Sequence, residues 1–175
     1  MRRLRYQVAA SLDGYIAGPN GEFDWIVADP DIDFAALFAQ FDTAVMGRKT
    51  FLATQQPGGS GALPGLDVVV FSRTLRPADF PAVAIVGDDP AAHVRSLKAA
   101  PGKDIWLYGG GELFRTLLEA GLVDTVEPAI VPVLLGGGIP LLPSPAARTG
   151  LTLRSHRRYP KSGIVLLEYA VSGRA

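Results

Sequence analysis

WLYGGGELF, residues 106–114, is the stretch on which the reading of this chain turns. Ile105–Leu107 has the character of a buried strand; it runs into three consecutive glycines, Gly109, Gly110 and Gly111, and then into the amphipathic pattern of Glu112–Ala120. Strand, bare backbone and helix start, in that order, let main-chain N–H groups at a helix N-terminus approach a pyrophosphate. The run lacks the spacing of the G-x-G-x-x-G dinucleotide fingerprint, and a plain flexible loop would also use it. Each glycine in a helix start gives up about 1 kcal/mol relative to alanine.

Outward from this point, strand-like runs lie at Leu4–Ala10, Thr43–Met46, Asp67–Phe71, Ala82–Val86, Asp104–Leu107, Thr125–Val131, Leu151–Arg158 and Ile164–Val171. Helical patterns separate the earlier ones: Phe34, Leu37, Phe38 and Phe41 recur at helix spacing, and Ala91–Ala99 and Glu112–Ala120 follow. Asp89-Pro90 and Pro101-Gly102 mark a start and a stop for the middle helix. The alternation up to about residue 124 predicts an α/β fold with a mainly parallel sheet covered by helices on both faces. The short polar link Tyr159–Gly163 predicts an antiparallel hairpin closing the sheet edge. Gln55–Gly65 and Leu135–Ser144, rich in proline and glycine, read as surface loops.

The bulk composition narrows the function classes. A chain of 175 residues encloses one core, so residues 1–175 are read as a single domain. Seventeen basic residues balance seventeen acidic ones, which argues against nucleic acid or anionic lipid as partner and makes any anion site local. With no cysteine and only His93 and His156, thiolate chemistry and a histidine-rich metal centre drop out, and no metal is expected. No apolar run approaches the roughly 20 residues of a membrane span, and a cytoplasmic location is the expectation. His93 and His156 are read as structural or solvated.

Three further stretches carry candidate chemistry. In VMGRKTF (residues 45–51) a strand ends at Gly47 and a helix begins at Arg48; Arg48, Lys49 and Thr50 there would suit a phosphate, or be solvated residues of an ordinary turn. VVVFSRT (68–74) repeats the pattern with Ser72 and Arg73, whose guanidinium can fork onto a phosphate. Ligands of open α/β sheets gather at the carboxyl ends of the strands. In AASLDGYIAGPNGEFDW (9–25), the turns Asp13-Gly14 and Asn20-Gly21 surround Tyr15-Ile16, as a simple connection or as a loop folded over a flat ligand.

Ala9–Ile16, Asp24-Trp25, Met46–Phe51, Phe71–Arg73 and Gly109–Phe114 follow one another as in the dihydrofolate reductase fold. Val131–Leu141 (VPVLLGGGIPL) resembles the branch containing the C-terminal reductase domain of the bacterial bifunctional riboflavin biosynthesis protein. The resemblance implies a three-layer fold and NADPH as hydride donor. It also implies that Arg48 and Thr50, with Ser72 and Arg73, hold the adenosine ribose 2′-phosphate, with Gly47 and Lys49 also cofactor-binding. Gly109, Gly110, Gly111, Glu112, Leu113 and Phe114 would line the pyrophosphate through their backbone, and Ala9 and Ile16 would orient the nicotinamide. A Gly-Gly peptide at this motif is often cis in the family.

Catalytic carboxylate candidates are Asp31 and Asp33, with Asp31 equally readable as a helix N-cap; Asp13 and Trp25 are candidates for substrate contact. The chain lacks the length and cysteines of the deaminase domain that precedes the reductase in bifunctional enzymes, so it is read as a stand-alone module. The expected activity is NADPH-dependent reduction of a small-molecule heterocycle, with 5-amino-6-(5-phosphoribosylamino)uracil first. Dihydrofolate reduction and a non-catalytic nucleotide-binding module are the alternatives. The family likeness further implies a homodimer, with Leu135–Ser144 as a contact.

Overall fold

The computed structural model describes residues 1–55 and 62–174. Ten strands form two sheets: β1 (Leu4–Ser11), β2 (Tyr15–Ala17), β3 (Phe41–Gly47), β4 (Asp67–Phe71), β5 (Ala84–Val86), β6 (Asp104–Gly109), β7 (Thr125–Val131), β8 (Ile139–Pro140), β9 (Thr149–Arg158) and β10 (Val165–Arg174). The main sheet has eight strands in the order β5-β4-β3-β6-β1-β7-β10-β9. Its first six are parallel, and β10 runs antiparallel to both β7 and β9. This is the expected mainly parallel sheet with an antiparallel C-terminal hairpin. The β2–β8 pair was not foreseen: Ile139–Pro140 lies inside the stretch read as a loop and pairs with Tyr15 and Ala17.

Among the described residues four α-helices cover the sheet: α1 (Phe34–Phe38), α2 (Arg48–Thr54), α3 (Pro90–Ala99) and α4 (Gly111–Glu119). Period-2 alternation sends Leu4, Tyr6, Val45, Val69, Ile105 and Leu107 to one face, where they meet Val94 of α3 and Leu113, Phe114 and Leu117 of α4. On the other face Ala44, Met46, Val68 and Val70 pack with Phe51 of α2. Asp89 caps α3 by accepting from the Ala92 N–H at 2.9 Å, with Pro90 in the first turn, as its sequence signals.

Phe41 departs from its helical spacing. It opens β3 opposite Asp104, its ring lies 5.7 Å from Trp106, and the Arg5 guanidinium sits 4.8 Å above it. Ladder pairing and ring burial outweigh the local period, so α1 stops at Phe38. Of the loop read at Gln55–Gly65, residues 56–61 lie outside the described residues.

Candidate active site

The carboxyl ends of β4, β3, β6 and β1 lie side by side. In register, Gly47 pairs with Phe71 across β3–β4 and Met46 with Gly109 across β3–β6. Two loops distant in sequence, 47–50 and 109–111, therefore share one sheet edge with Ser72-Arg73 beside them. The Gly109–Gly110 peptide is cis. A methyl group added at Gly110 would come within 3.1 Å of the Thr50 hydroxyl, so Thr50 closes directly over the glycine run.

The glycines are held for different reasons. Gly111 is buried, and a Cβ there would stand 2.7 Å from the Pro140 carbonyl oxygen and 2.8 Å from Pro143 Cδ. Gly47, by contrast, has an ordinary φ of −83°, and a Cβ there would meet nothing within 4 Å among the described residues. Protein packing does not explain that glycine; it borders open space at the turn from β3 to α2. Arg48, Lys49 and Arg73 are exposed, and none has an ion-pair partner among the described residues. The first turn of α4 adds the outward N–H groups of Gly111 and Glu112. Unpaired cations, open backbone and a helix start fit a phosphorylated, dinucleotide-like anion.

Other expected residues have defined structural work. Ser72 Oγ accepts from the N–H groups of Thr74 (3.2 Å) and Leu75 (3.0 Å), shaping the turn that presents Arg73. Glu112 pairs with Arg115 at 2.6 Å, and Leu113 and Phe114 are buried, Phe114 stacked on Tyr6 at 3.9 Å, so these two offer only backbone to a ligand. Ala9 sits on β1, and Ile16 is half-buried in β2. His93 packs edge-on against Phe71 at 5.8 Å.

Asp13 is a clamp. It accepts from the Ser11 hydroxyl (2.6 Å), Leu135 N–H (3.1 Å) and Gly136 N–H (2.7 Å), tying the β1–β2 turn to the glycine-rich stretch 122 and 123 residues later in the chain. The Ser11 bond first, then the backbone donors, hold its carboxyl below the ordinary value. Trp25 donates to the Glu22 carbonyl at 3.1 Å and packs with Ile32 on Val131, Tyr159 and Ile164.

The helix cap is Asp33 and not Asp31: Asp33 accepts from the Ala36 N–H at 2.8 Å, while Asp31 pairs with Lys161 at 2.7 Å. Both are exposed. Their neighbour Asp29, not singled out by sequence, is 2% exposed and accepts from Asp31 N–H and Ser162 N–H, each at 2.9 Å. The partner that selects Asp29 comes from the β9–β10 turn, so no local pattern could reveal it.

Also missed was Tyr108, the last side chain of β6 before the glycines. Its hydroxyl has no partner among the described residues, and burial pushes its pKa up. Alternation could have found it, since Trp106 and Tyr108 must point opposite to Ile105 and Leu107. No group of three or more His, Asp or Glu among the described residues is placed to hold a metal ion.

The RibD C-terminal domain family matches residues 2–165. The chain belongs to that family. Protein YyaP of Bacillus subtilis (strain 168) is 38% identical over 183 residues, covering 98% of this chain and 96% of YyaP. The crystal structure of a putative riboflavin biosynthesis protein from Shewanella sp. PV-4 is similar with a TM-score of 0.77 and 26% identity, covering 98% of this chain and 99% of that one. A bifunctional deaminase and 5-amino-6-(5-phosphoribosylamino)uracil reductase from Thermotoga maritima shares the fold (TM-score 0.69, 17% identity); the match covers 97% of this chain and 56% of that chain. The sheet order and C-terminal hairpin described above are thus those of a RibD-type, dihydrofolate reductase-like domain.

Proposed function

We propose that this RibD C-terminal family member is an NADPH-dependent oxidoreductase that reduces a small heterocyclic substrate. The observation that carries the reading is the register of β4, β3 and β6, which brings Gly47–Thr50, Ser72-Arg73 and Gly109–Gly111 to one edge. Arg48, Lys49 and Arg73 would take the 2′-phosphate, which distinguishes NADPH from NADH. Thr50 and the backbone of Gly110–Glu112 would hold the pyrophosphate, with Ala9 and Ile16 beside the nicotinamide. When bound, NADPH supplies a hydride. The chain's part is to align a planar acceptor, exclude water from it and admit one proton.

Family membership makes 5-amino-6-(5-phosphoribosylamino)uracil the first compound to assay. In that reaction the ribose ring opens to an imine, hydride adds to its anomeric carbon, and a proton adds to nitrogen to give the ribityl amine. Loss of nicotinamide absorbance with this compound and with dihydrofolate, run in parallel, tests the reading. Dihydrofolate reduction is disfavoured by the exposure of Asp31 and Asp33, each already bonded to a neighbour. NADPH binding without oxidation against either class would instead support a non-catalytic module.

A homodimer and a cytoplasmic location complete the proposal. Leu135–Ser144 is engaged within the chain, against β2 and Gly111. The better contact is β9, an edge strand whose Leu151 and Leu153 are 46% and 48% exposed. Among the described residues no helix is long and apolar enough to cross a membrane.

A further inference from the structure

The chain between β2 and α1 is fixed to the sheet by few hydrogen bonds. Apart from bonds to near neighbours in the chain, residues 23–32 make two among the described residues: Asp29 Oδ2 accepts from the Ser162 N–H at 2.9 Å, and Asp31 Oδ1 from the Lys161 ammonium at 2.7 Å. Both donors belong to the β9–β10 turn. That turn is a firm anchor, because the Tyr159 N–H donates to the Ile164 carbonyl at 2.8 Å and the Gly163 N–H to the Tyr159 carbonyl at 2.9 Å. A Cβ on Gly163 would stand 3.2 Å from Pro132, so the turn is also packed against the end of β7.

The anchored segment brings two side chains to the sheet face on which Ala9 lies. Trp25 and Ile32 pack against Val131, Tyr159 and Ile164, the cluster that Ala9, Ala129 and Leu166 join from β1, β7 and β10. In register Ala9 pairs with Ala129 and Ala129 with Leu166. Trp25 and Ile32 thus roof the end of the sheet where the proposed nicotinamide would sit.

The two ties are unequal. The Lys161 and Asp31 side chains are 62% and 45% exposed, and ion pairs so open to water contribute little. Asp29 is 2% exposed, and its charge is tolerated there only because it is hydrogen-bonded. Each oxygen takes one donor, Asp31 N–H on Oδ1 and Ser162 N–H on Oδ2. An asparagine of the same size has one acceptor oxygen and would set its NH₂ group against an N–H. The position calls for a carboxylate and not merely for a side chain of that volume, and bonds to an ionised acceptor are the stronger kind.

We infer that Asp29 is a positioning residue for the cofactor: it latches the Trp25–Ile32 roof to the β9–β10 turn and so closes the nicotinamide half of the NADPH site against water. The inference rests on the reductase reading and adds to it a residue remote from the glycine loops. The proposed 2′-phosphate cradle, at the ends of β3 and β4, lies across β6 from this roof and does not depend on it.

The test is titration of the full chain with NADPH and with adenosine 2′,5′-bisphosphate, which carries the 2′-phosphate but no nicotinamide. Emission of the bound nicotinamide, which rises when the ring is shielded from water, is followed alongside. Asp29→Asn should weaken NADPH more than about fivefold, lower that emission, and leave the bisphosphate within about twofold. Without any ligand, acrylamide quenching of Trp25 should increase, read in a Trp106→Phe background where it is the one remaining tryptophan. Ile32→Ala thins the roof without touching the carboxylate and should move the same readouts the same way, which keeps the test decisive if Asp29→Asn does not fold. Lys161→Ala should move none of them.

A folded Asp29→Asn that weakens both compounds alike, or that leaves nicotinamide emission and Trp25 quenching at their wild-type values, would overturn the inference. So would Lys161→Ala reproducing the asparagine effect, since the exposed pair would then be what holds the roof. Wild type that binds neither compound would overturn the reductase reading and the cofactor half of the inference with it; the quenching, which needs no ligand, then decides the latch alone.

Discussion

Replacing Arg48 by alanine should separate NADPH from NADH. The guanidinium is exposed at the start of α2, has no partner among the described residues, and stands on the turn whose register neighbour leads into Ser72 and Arg73. Because it holds nothing in the fold, its removal should change stability by less than about 0.5 kcal/mol. A charge-assisted hydrogen bond to a phosphate contributes roughly 1.5–3 kcal/mol, which corresponds to about a 10- to 150-fold rise in the NADPH Kd. NADH lacks the 2′-phosphate, so its Kd should move less than about twofold. Nicotinamide fluorescence titrations of wild type and Arg48→Ala with both cofactors measure the difference, with a thermal melt to establish that the variant is folded. The NADPH effect should shrink at high salt, since exposed charges are screened beyond about 10 Å at 0.1 M. Equal weakening of both cofactors, or of neither, in a folded variant would refute the assignment of this turn to the 2′-phosphate.

Gly47→Ala should leave chemical denaturation unchanged and weaken NADPH, because the added methyl meets no atom of the described residues within 4 Å; Gly111→Ala should cost roughly 1–3 kcal/mol, because its methyl meets Pro140 backbone at 2.7 Å. Glu127→Ala should destabilise by about 3 kcal/mol in urea titrations, since it leaves the buried Arg5 guanidinium only Gln40 and, at 3.5 Å, the Asp104 carboxylate. Asp13 and Asp29 have carboxyls held below their ordinary value of 3.8, Asp13 first by Ser11 and Asp29 first by Ser162. Their stabilisation is therefore fully present above that value and lost as pH falls through their lower folded values; melting temperature against pH should drop there, and Asp13→Asn should flatten the drop. Leu153→Lys on the β9 edge should convert the proposed dimer to a monomer in sedimentation at micromolar concentration without altering the melt of the monomer; an unchanged dimer would exclude that edge.

Much of the frame is legible along the chain because its signals are local. Val- and Ile-rich runs of strand length, the Asp89-Pro90 start and the glycine stops reflect φ/ψ preferences and alternation that each segment carries by itself. The helical reading of Phe41 fails for the complementary reason: Arg5 and Trp106, 36 and 65 residues away by number, supply the contacts that draw it into β3. Asp31 and Asp33 show the same limit, since either could cap α1 by spacing, and Lys161 from the β9–β10 turn engages the first and leaves the cap to the second.

Sequence alone determined the α/β class, the parallel run with its closing hairpin, and the candidate loops at Gly47–Thr50 and Gly109–Gly111, because propensity, periodicity and family motif are written in neighbouring residues. Only the tertiary structure decided that those loops meet at Thr50, that Gly47 borders open space among the described residues while Gly111 is packed, and that Tyr108 ends a file of aromatic rings with its hydroxyl unpartnered among the described residues. Strand order and register set these outcomes, and both arise from burial and pairing between segments far apart in the chain.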